Sequence, residues 1–405
     1  MAQPTAPSTP RVRRVLAGPG SGKTKLLTEQ LRDRLAAGMA PASMLGLTFS
    51  RRAAREMQAR LSRPAGRSPW LGTFHALAWR ILSDTHSLPS APELDALIPQ
   101  ATRLLQAGTV PPWLPLVQYI AVDEAQDLDA TQVEFLKALR HHMTTPELLL
   151  VGDPDQAIYG FRQASADYLL KAETTFAEPC KTTILAENHR SAKAIVEAAR
   201  QILGPSADPQ APCHRLAATR PEAHPAIRWI IAPTPEGEAT RIFEEIRTLL
   251  ALNVPANSLA ILVRTRAQTS PLEAEAATWK LPVFSPPLHD QLEDGQEPPV
   301  PSPNAIWILT MHQSKGMEFT CVFLAGVQEG LVPHRRAVQH GEHQEELRLL
   351  YVAVTRAKQL LWFCRHGAPS PFLTSITTTT ATPTPSRRQS WLHWLARYFQ
   401  NGRAG

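Results

Sequence analysis

A glycine-rich segment near the start of the chain, VLAGPGSGKTKLL over residues 15–27, has the composition of a phosphate-binding loop. Glycines let the backbone turn so that its N–H groups point at phosphate oxygens, and a following helix adds its N-terminal dipole. Lys23 would bring positive charge to the β- and γ-phosphates, and Thr24 would offer its hydroxyl to Mg²⁺. The alternative is a glycine-rich turn with a chance lysine. The predicted nucleotide-binding residues here are Ala17, Gly18, Pro19, Gly20, Ser21, Gly22, Lys23, Thr24 and Lys25.

A second segment, YIAVDEAQD over residues 119–127, ends an apolar run with acidic residues. A strand here would deliver Asp123 and Glu124 to the carboxyl edge of a sheet, where open α/β sheets bind ligands. Asp123 is placed to hold Mg²⁺, directly or through water, and Glu124 to accept a proton from an attacking water. A helix cap followed by an acidic turn is the alternative interpretation.

The elements that must position these residues alternate short apolar runs with stretches of helical periodicity, which is typical of parallel sheets covered on both faces. Strands are predicted at VRRVLA, MLGLTFS, QYIAVDEAQ and ELLLVGD, and a second set begins after about residue 178 with TTILAEN, LAILVRT, AIWILTM and CVFLAGV. Helices are predicted at AARQILG, TRIFEEIRTLLALN and EELRLLYVAVTRAK. The pattern predicts two tandem α/β domains, 11–177 and 178–368, followed by a linker and tail over 369–405.

Composition narrows the class of protein. The chain has 405 residues, more than one hydrophobic core usually serves, and its net charge of +6 suits a phosphate-rich partner. Four well-separated cysteines argue against a zinc site or a disulfide scaffold. The N-terminal residues lack an apolar leader, and no apolar run reaches the roughly 18 residues of a membrane span, so we expect a cytoplasmic protein. The 37 prolines cluster at the N-terminus, in 285–303 and near 369–388.

Eight motifs then follow one another in the order found in the UvrD/Rep/PcrA-like helicases of superfamily 1, which this chain resembles. They are GPGSGKT, LTFSRRAAREMQARL, GTFHALAWRIL, VDEAQD, LLLVGDPDQAIYGFRQA, LAENHRS, ILTMHQSKGMEF and LLYVAVTRAK. The resemblance covers residues 15–360 and implies two RecA-like domains that clamp one ATP, with Mg²⁺, and grip single-stranded DNA. It implies a DNA-stimulated ATPase that moves along single strands with 3′–5′ polarity, as a monomer, in DNA repair, replication or recombination.

The resemblance also implies residue roles around the nucleotide. Gln156 corresponds to the γ-phosphate sensor, and Arg190 and Arg356 to the two arginines that stabilise the transferring phosphoryl group. Gly316 and Glu318 correspond to the ribose contact. His189 stands where the family has a tyrosine that stacks on adenine. If the resemblance failed, the two arginines would be solvated surface residues.

The strand-binding motifs of the family map onto Phe49, Arg51, Phe74, His75, Tyr159, Phe161 and Arg162. Aromatic faces stack on any base, which suits tracking that is blind to sequence. Phe161 replaces the family's usual tryptophan. For Phe74, plain core packing is the alternative.

Two features of the sequence differ from the family pattern and bear on the expected activity. The helical subdomains that the family inserts are reduced here to residues 83–118 and 285–303, which leaves a motor core. A tail helix, SWLHWLARYFQ, presents Trp391, Trp394, Leu395, Tyr398 and Phe399 on one face, either to bind a protein partner or to dock back on the motor. An ATP-gated clamp on single-stranded DNA, or a partner-dependent accessory ATPase, is the alternative to a translocating motor.

Overall fold

The computed structural model describes residues 11–61, 68–160, 163–204, 211–219, 226–287 and 302–376. The chain divides into two compact units, Met1–Ala186 with Asp208–Arg215, and Glu187–Ala207 with Leu216–Gly405. Each unit is built on a six-stranded parallel sheet, so the predicted fold class of two tandem α/β domains is confirmed.

The sheet of the first unit has the strand order β3-β2-β4-β5-β1-β6. Its strands are β1 (Val12–Ala17), β2 (Met44–Thr48), β3 (Trp70–Thr73), β4 (Tyr119–Val122), β5 (Glu147–Gly152) and β6 (Cys180–Leu185). Its helices are α1 (Lys23–Ala36), α2 (Arg51–Leu61), α3 (Phe74–Asp84), α4 (Leu94–Gln106), α5 (Ala130–His141), α6 (Asp167–Leu170) and α7 (Ala172–Phe176).

Both faces of this sheet are buried, which explains why its strands are nearly continuous apolar runs. Val12 and Leu16 of β1 belong to one hydrophobic cluster, while Val15 and Ala17 belong to another. Parallel pairing brings the carboxyl ends of β1, β5 and β4 to one edge, with Leu16 opposite Gly152. That edge therefore holds the phosphate loop and the acidic segment together.

The sheet of the second unit has the order β11-β12-β10-β13-β14-β9, and a short parallel pair joins β7 to β8. The strands of this sheet are β9 (Ile227–Ile231), β10 (Leu259–Val263), β11 (Val283–Phe284), β12 (Ile306–Thr310), β13 (Phe319–Leu324) and β14 (Ala357–Arg365), and the separate pair is β7 (Glu187–Asn188) with β8 (Ala217–Ala218). The unit also contains five α-helices among the described residues. Its helices are α8 (Lys193–Leu203), α9 (Pro235–Ala251), α10 (Thr269–Thr278), α11 (Arg335–Gln339) and α12 (His343–Val354).

Three sequence predictions about boundaries need correction. The TTILAEN strand was assigned to the second domain, but β6 pairs with β1 from Val12↔Cys180 to Ala17↔Leu185, so the first unit extends to Ala186 rather than residue 177. The helix predicted through TRAK ends at Val354, and after a turn at Thr355 and Arg356 the chain forms β14 from Ala357. Pro371–Leu373, which fall within the predicted linker, instead form a 3-10 turn in which Phe372 and Leu373 are buried.

The reduced insert predicted near 83–118 is a single helix, α4, followed by one 3-10 turn at Leu114–Leu116. Helix α4 packs against α3 and α5. Most of the second insert (288–301) and the residues of the predicted tail helix lie outside the described residues.

Candidate functional site

The phosphate loop joins β1 to α1 in the first unit. Gly20 and Gly22 have φ values of 67° and 85°, a left-handed backbone that favours glycine and lets the chain turn directly into the helix. Gly22 is the N-cap of α1 and has no side chain to cap its first N–H groups, which suits an anion there. The Lys23 ammonium curls back over the loop and donates to the carbonyls of Ala17 and Gly18 at 3.2 and 3.5 Å.

Two oxygens next to this loop have the chemistry that Mg²⁺ prefers. The Thr24 hydroxyl lies 3.5 Å from Oδ2 of Asp123, at the end of β4. Adjacent ligands of an octahedral Mg²⁺ are about 3 Å apart, and such ions use one or two protein oxygens plus phosphate and water. Among the described residues no cluster of three or more His, Cys, Asp or Glu side chains could hold a metal. The residues present therefore fit the predicted ion.

A hydrogen-bonded chain of side chains connects the ends of two strands, β4 and β5, beside the loop. Gln126 donates from Nε2 to Oε2 of Glu124 at 2.6 Å, and its Oε1 accepts the N–H of Asp153 at 3.0 Å. Oδ2 of Asp153 in turn accepts from Nε2 of Gln156 at 2.6 Å. The structure thus brings the predicted base, Glu124, and the predicted γ-phosphate sensor, Gln156, into one network.

Burial shapes the electrostatics of these carboxylates. Burial and then the charge of Glu124 raise the pKa of Asp123 to about 7, against the opposing charge of Lys23. Burial likewise raises the pKa of Asp153, and Lys23 again opposes it. Desolvated carboxylates facing one lysine form a site that additional positive charge would stabilise.

In the second unit, Arg190 and Glu318 lie next to each other. NH1 of Arg190 is 3.4 Å from Oε2 of Glu318, and NH2 donates to the carbonyl of Thr355 at 2.6 Å. Lys358, which the sequence analysis did not single out, pairs with the other Glu318 oxygen. Burial alone would raise the pKa of Glu318, but the hydrogen bond from Lys358 and the charge of Arg190 outweigh it and lower the pKa.

Arg356 is 3% exposed, so it is not a solvated surface residue. Its guanidinium donates to the carbonyl of Val352 at 2.9 Å, the carbonyl of Met317 at 3.1 Å and the hydroxyl of Thr355 at 3.2 Å. The Met317 bond links Arg356 to the segment that carries Glu318, where Gly316 has a φ of 76°. These bonds fix the orientation of the side chain.

Of the other predicted nucleotide contacts, Pro19 is buried and Ser21 half-buried in the loop, whereas Lys25 and His189 are exposed. The side chain of Lys25 is 74% exposed and lies 3.8 Å from Glu29. The His189 ring is 57% exposed, lies 3.6 Å from Glu187 and is bonded through Nδ1 to the Thr219 hydroxyl at 3.0 Å. Both are accessible to a ligand.

The predicted DNA contacts divide into three groups. Arg51 is exposed, while Phe49, His75 and Tyr159 are half-buried, so each can present surface to a strand. Phe74 is 2% exposed in the core, so the prediction that it stacks on a base is wrong. Its ring centroid lies 5.6 Å from that of Phe49, so the two rings pack against each other. Phe161 and Arg162 lie outside the described residues.

The fold and the site together define a class of protein. The chain has two parallel α/β units, and the first unit carries a phosphate-binding loop. Two family models match the chain: an AAA domain over residues 3–162, and the UvrD-like helicase C-terminal domain over 183–286 and 288–367. The chain belongs to the UvrD/PcrA-like helicases of superfamily 1.

Two curated relatives agree with this assignment. A probable DNA helicase of Mycoplasma pneumoniae is 32% identical, over 68% of this chain and 49% of that protein. The ATP-dependent DNA helicase PcrA of Staphylococcus epidermidis is 26% identical, over 64% of this chain and 46% of that protein. The chain therefore spans about half the length of the curated relatives it matches. The C-terminal domain of a possible DNA helicase from Lactobacillus plantarum WCFS1 aligns over 47% of this chain and 94% of that chain, with 16% identity and a TM-score of 0.33.

Across the parts of the chain that the structure describes, we find no helix that combines the length and the apolar character needed to cross a bilayer.

Proposed function

We propose that this chain hydrolyses ATP, with Mg²⁺, to move along single-stranded DNA in the 3′–5′ direction, in repair, replication or recombination. One observation carries the proposal: Lys23, Thr24, Asp123 and Glu124 meet at one sheet edge, next to a loop shaped for phosphate. Membership of the helicase family supports DNA as the partner, and the net charge of +6 agrees with it.

Each side chain has a role that its contacts support. Lys23 would exchange its two loop carbonyls for phosphate oxygens, and Thr24 and Asp123 would hold Mg²⁺, whose charge neutralises the phosphates. Glu124 would accept the proton of the attacking water, with Gln126 holding its carboxylate in position.

The arginines of the second unit would stabilise charge that develops during phosphoryl transfer. Arg356 is already oriented by three hydrogen bonds, so little reorganisation would be required of it. Arg190 is held by Thr355 and Glu318. Glu318, kept ionised by Lys358 and Arg190, would accept hydrogen bonds from ribose hydroxyls.

For the DNA side, we propose that Arg51 contacts phosphate, that Phe49, Tyr159 and Phe161 offer aromatic surface to bases, and that His75 and Arg162 contribute further contacts with the strand. Such stacking is worth about 1–3 kcal/mol per base. Phe74 acts only indirectly, by supporting Phe49.

We also propose that the chain by itself separates duplex DNA poorly. The first insert consists of α4 and one 3-10 turn, and both pack toward the core. Opening a base-pair step costs about 1.4 kcal/mol on average, and the junction must also be held between steps. A protein partner bound by the tail residues around Trp391 and Trp394 would supply the missing surface.

The test is ATPase activity with single strands of increasing length, from below one site size to many site sizes. We expect stimulation that rises with strand length, because a motor on a longer track dissociates less often. Lys23→Ala is the control and should have no stimulated rate. Stimulation that saturates at one site size would favour an ATP-gated clamp, and hydrolysis that ignores DNA would contradict the proposal.

A further inference from the structure

A short segment, residues 211–219, belongs to both units in succession. We call it the strap. After α8 in the second unit, the chain returns to the first unit for Ala211–Arg215 and re-enters the second at Leu216. Pro212–Arg215 form one 3-10 turn, and β8 begins at Ala217.

The first end of the strap is buried in the first unit, beside the Asp153–Gln156 loop that carries the predicted γ-phosphate sensor. Ala211 and Cys213 are 2% and 3% exposed there. The Cys213 thiol faces the Asp155 carboxylate, and burial followed by this negative charge raises the thiol pKa. The N–H of Asp155 donates to Oδ1 of Asp153 at 3.1 Å, and the other oxygen of Asp153 holds Gln156. The strap therefore contacts the network that positions the predicted γ-phosphate sensor.

The second end is anchored to the loop that carries Arg190. Leu216 is 1% exposed, and β8 pairs with β7, with Ala218 opposite Asn188. The backbone N–H and the hydroxyl of Thr219 both donate to the carbonyl of Asn188, at 3.0 and 3.2 Å.

The side chain of Asn188 links the strap to the backbone of Arg190. Its Oδ1 accepts the N–H of Arg190 at 2.9 Å and that of Ser191 at 2.7 Å. Three residues, 214–216, separate buried Cys213 from the paired strand. A shift at one end must therefore reach the other unless the single 3-10 turn unwinds.

We propose that the strap couples the Asp153–Gln156 loop to Arg190, so that occupancy at the γ-phosphate sensor sets the position of the arginine. The inference rests on the proposed ATPase function. It assigns positioning roles to Cys213 and Thr219, which act through the Asp155 carboxylate and the Asn188 carbonyl. The chain also crosses between the units at Ala186–Glu187, where β7 follows β6, and this crossing is left intact by the tests below.

The first test lengthens the strap. Four residues, Gly-Ser-Gly-Ser, are inserted between Arg215 and Leu216, which leaves both anchored ends unchanged. The same insertion after Gly341, in an exposed turn with a φ of 80°, is the matched control. We expect the strap insertion to lower kcat by about tenfold or more with KM little changed, since a misplacement of roughly 1 Å can cost about 100-fold. Equal kcat in the two insertion variants would overturn the proposal.

The second test changes one anchor. Cys213→Ala removes the thiol that faces Asp155, whereas Cys213→Ser keeps an O–H donor of similar size. We expect kcat to fall in Cys213→Ala and to be retained in Cys213→Ser. Equal rates in both variants, at equal melting temperature, would show that the contact with Asp155 plays no part.

A third measurement does not need turnover, so it distinguishes failure of the coupling from failure of the proposed ATPase. Hydrogen exchange is followed with and without Mg²⁺ and a non-hydrolysable ATP analogue in peptides covering 152–160 and 187–192. The wild type should gain protection in both segments, and the strap insertion in the first alone. Protection of both segments in the insertion variant, or of the first alone in the wild type, would contradict the coupling even if no ATP were hydrolysed.

Discussion

Replacing Gly152 by alanine should slow hydrolysis without weakening ATP binding. Gly152 is the last residue of β5, immediately before Asp153. A Cβ added there would lie 2.4 Å from Oε1 of Gln126 and 2.8 Å from Cδ2 of Leu169. Ordinary C···O contacts are about 3.3–3.6 Å, so the Gln126 side chain must move by about 1 Å.

That movement has a definite consequence, because Gln126 joins two acidic residues. Its bonds to Glu124 and to the N–H of Asp153 are 2.6 and 3.0 Å long. A shift of about 1 Å takes one or both beyond hydrogen-bonding distance. We expect kcat to fall by about 10- to 100-fold, and overpacking to cost about 1–3 kcal/mol of unfolding free energy.

The assay compares kcat and the ATP dissociation constant of Gly152→Ala with two further variants. Gly237→Ala in the first turn of α9 is the control, since its Cβ would meet Thr234 Oγ1 at an ordinary 3.4 Å. Gln126→Ala should reproduce the loss of kcat without overpacking. An unchanged kcat in Gly152→Ala, or a loss of affinity as large as the loss of rate, would refute the reasoning.

Three further predictions follow from single residues. Glu124→Gln should bind ATP normally and lose hydrolysis, because an amide cannot accept the proton; near wild-type turnover would remove Glu124 from this role. Arg356→Ala should lower kcat by about 10³–10⁵-fold and spare affinity, as for an arginine that acts on the transition state; an equal loss of affinity would make it a ground-state contact. Burial lowers the pKa of His312 from 6.5 to about 4, so the unfolded chain binds the extra proton first as pH falls. The contribution of neutral His312 to stability should therefore be present above pH 6.5. The free energy of unfolding, measured by denaturant, should fall by about 2 kcal/mol between pH 7.5 and pH 5. His312→Gln should lose less over that range, and an identical pH profile would contradict the assignment.

Much of the fold and of the candidate site could be predicted from the backbone preferences and the polarity of short sequence segments. The phosphate loop was predictable because Gly20 and Gly22 adopt a backbone conformation that other residues disfavour. Apolar runs such as β4 and β5 were predictable because burial on both faces demands them.

The predictions that failed concern features that depend on contacts between residues far apart in the sequence. CKTTIL reads as a strand in either domain, and only its pairing with β1, well over 100 residues away in sequence, places it in the first sheet. Gln126 and Lys358 were missed because their roles arise from contacts with residues on other elements, although both stand inside recognised motifs. Phe74 was misassigned because a motif position does not reveal which way a ring points.

The claim that the chain is a motor can be tested most directly by following its arrival at a strand end. Single strands of several lengths carry a fluorophore at the 5′ end or at the 3′ end, and ATP is added in a stopped-flow instrument with a trap for free protein. The account predicts a lag before the 5′ signal that grows in proportion to strand length, and no such lag at the 3′ end. A signal independent of length at both ends, alongside ATP hydrolysis that DNA stimulates, would show a clamp and contradict the central claim.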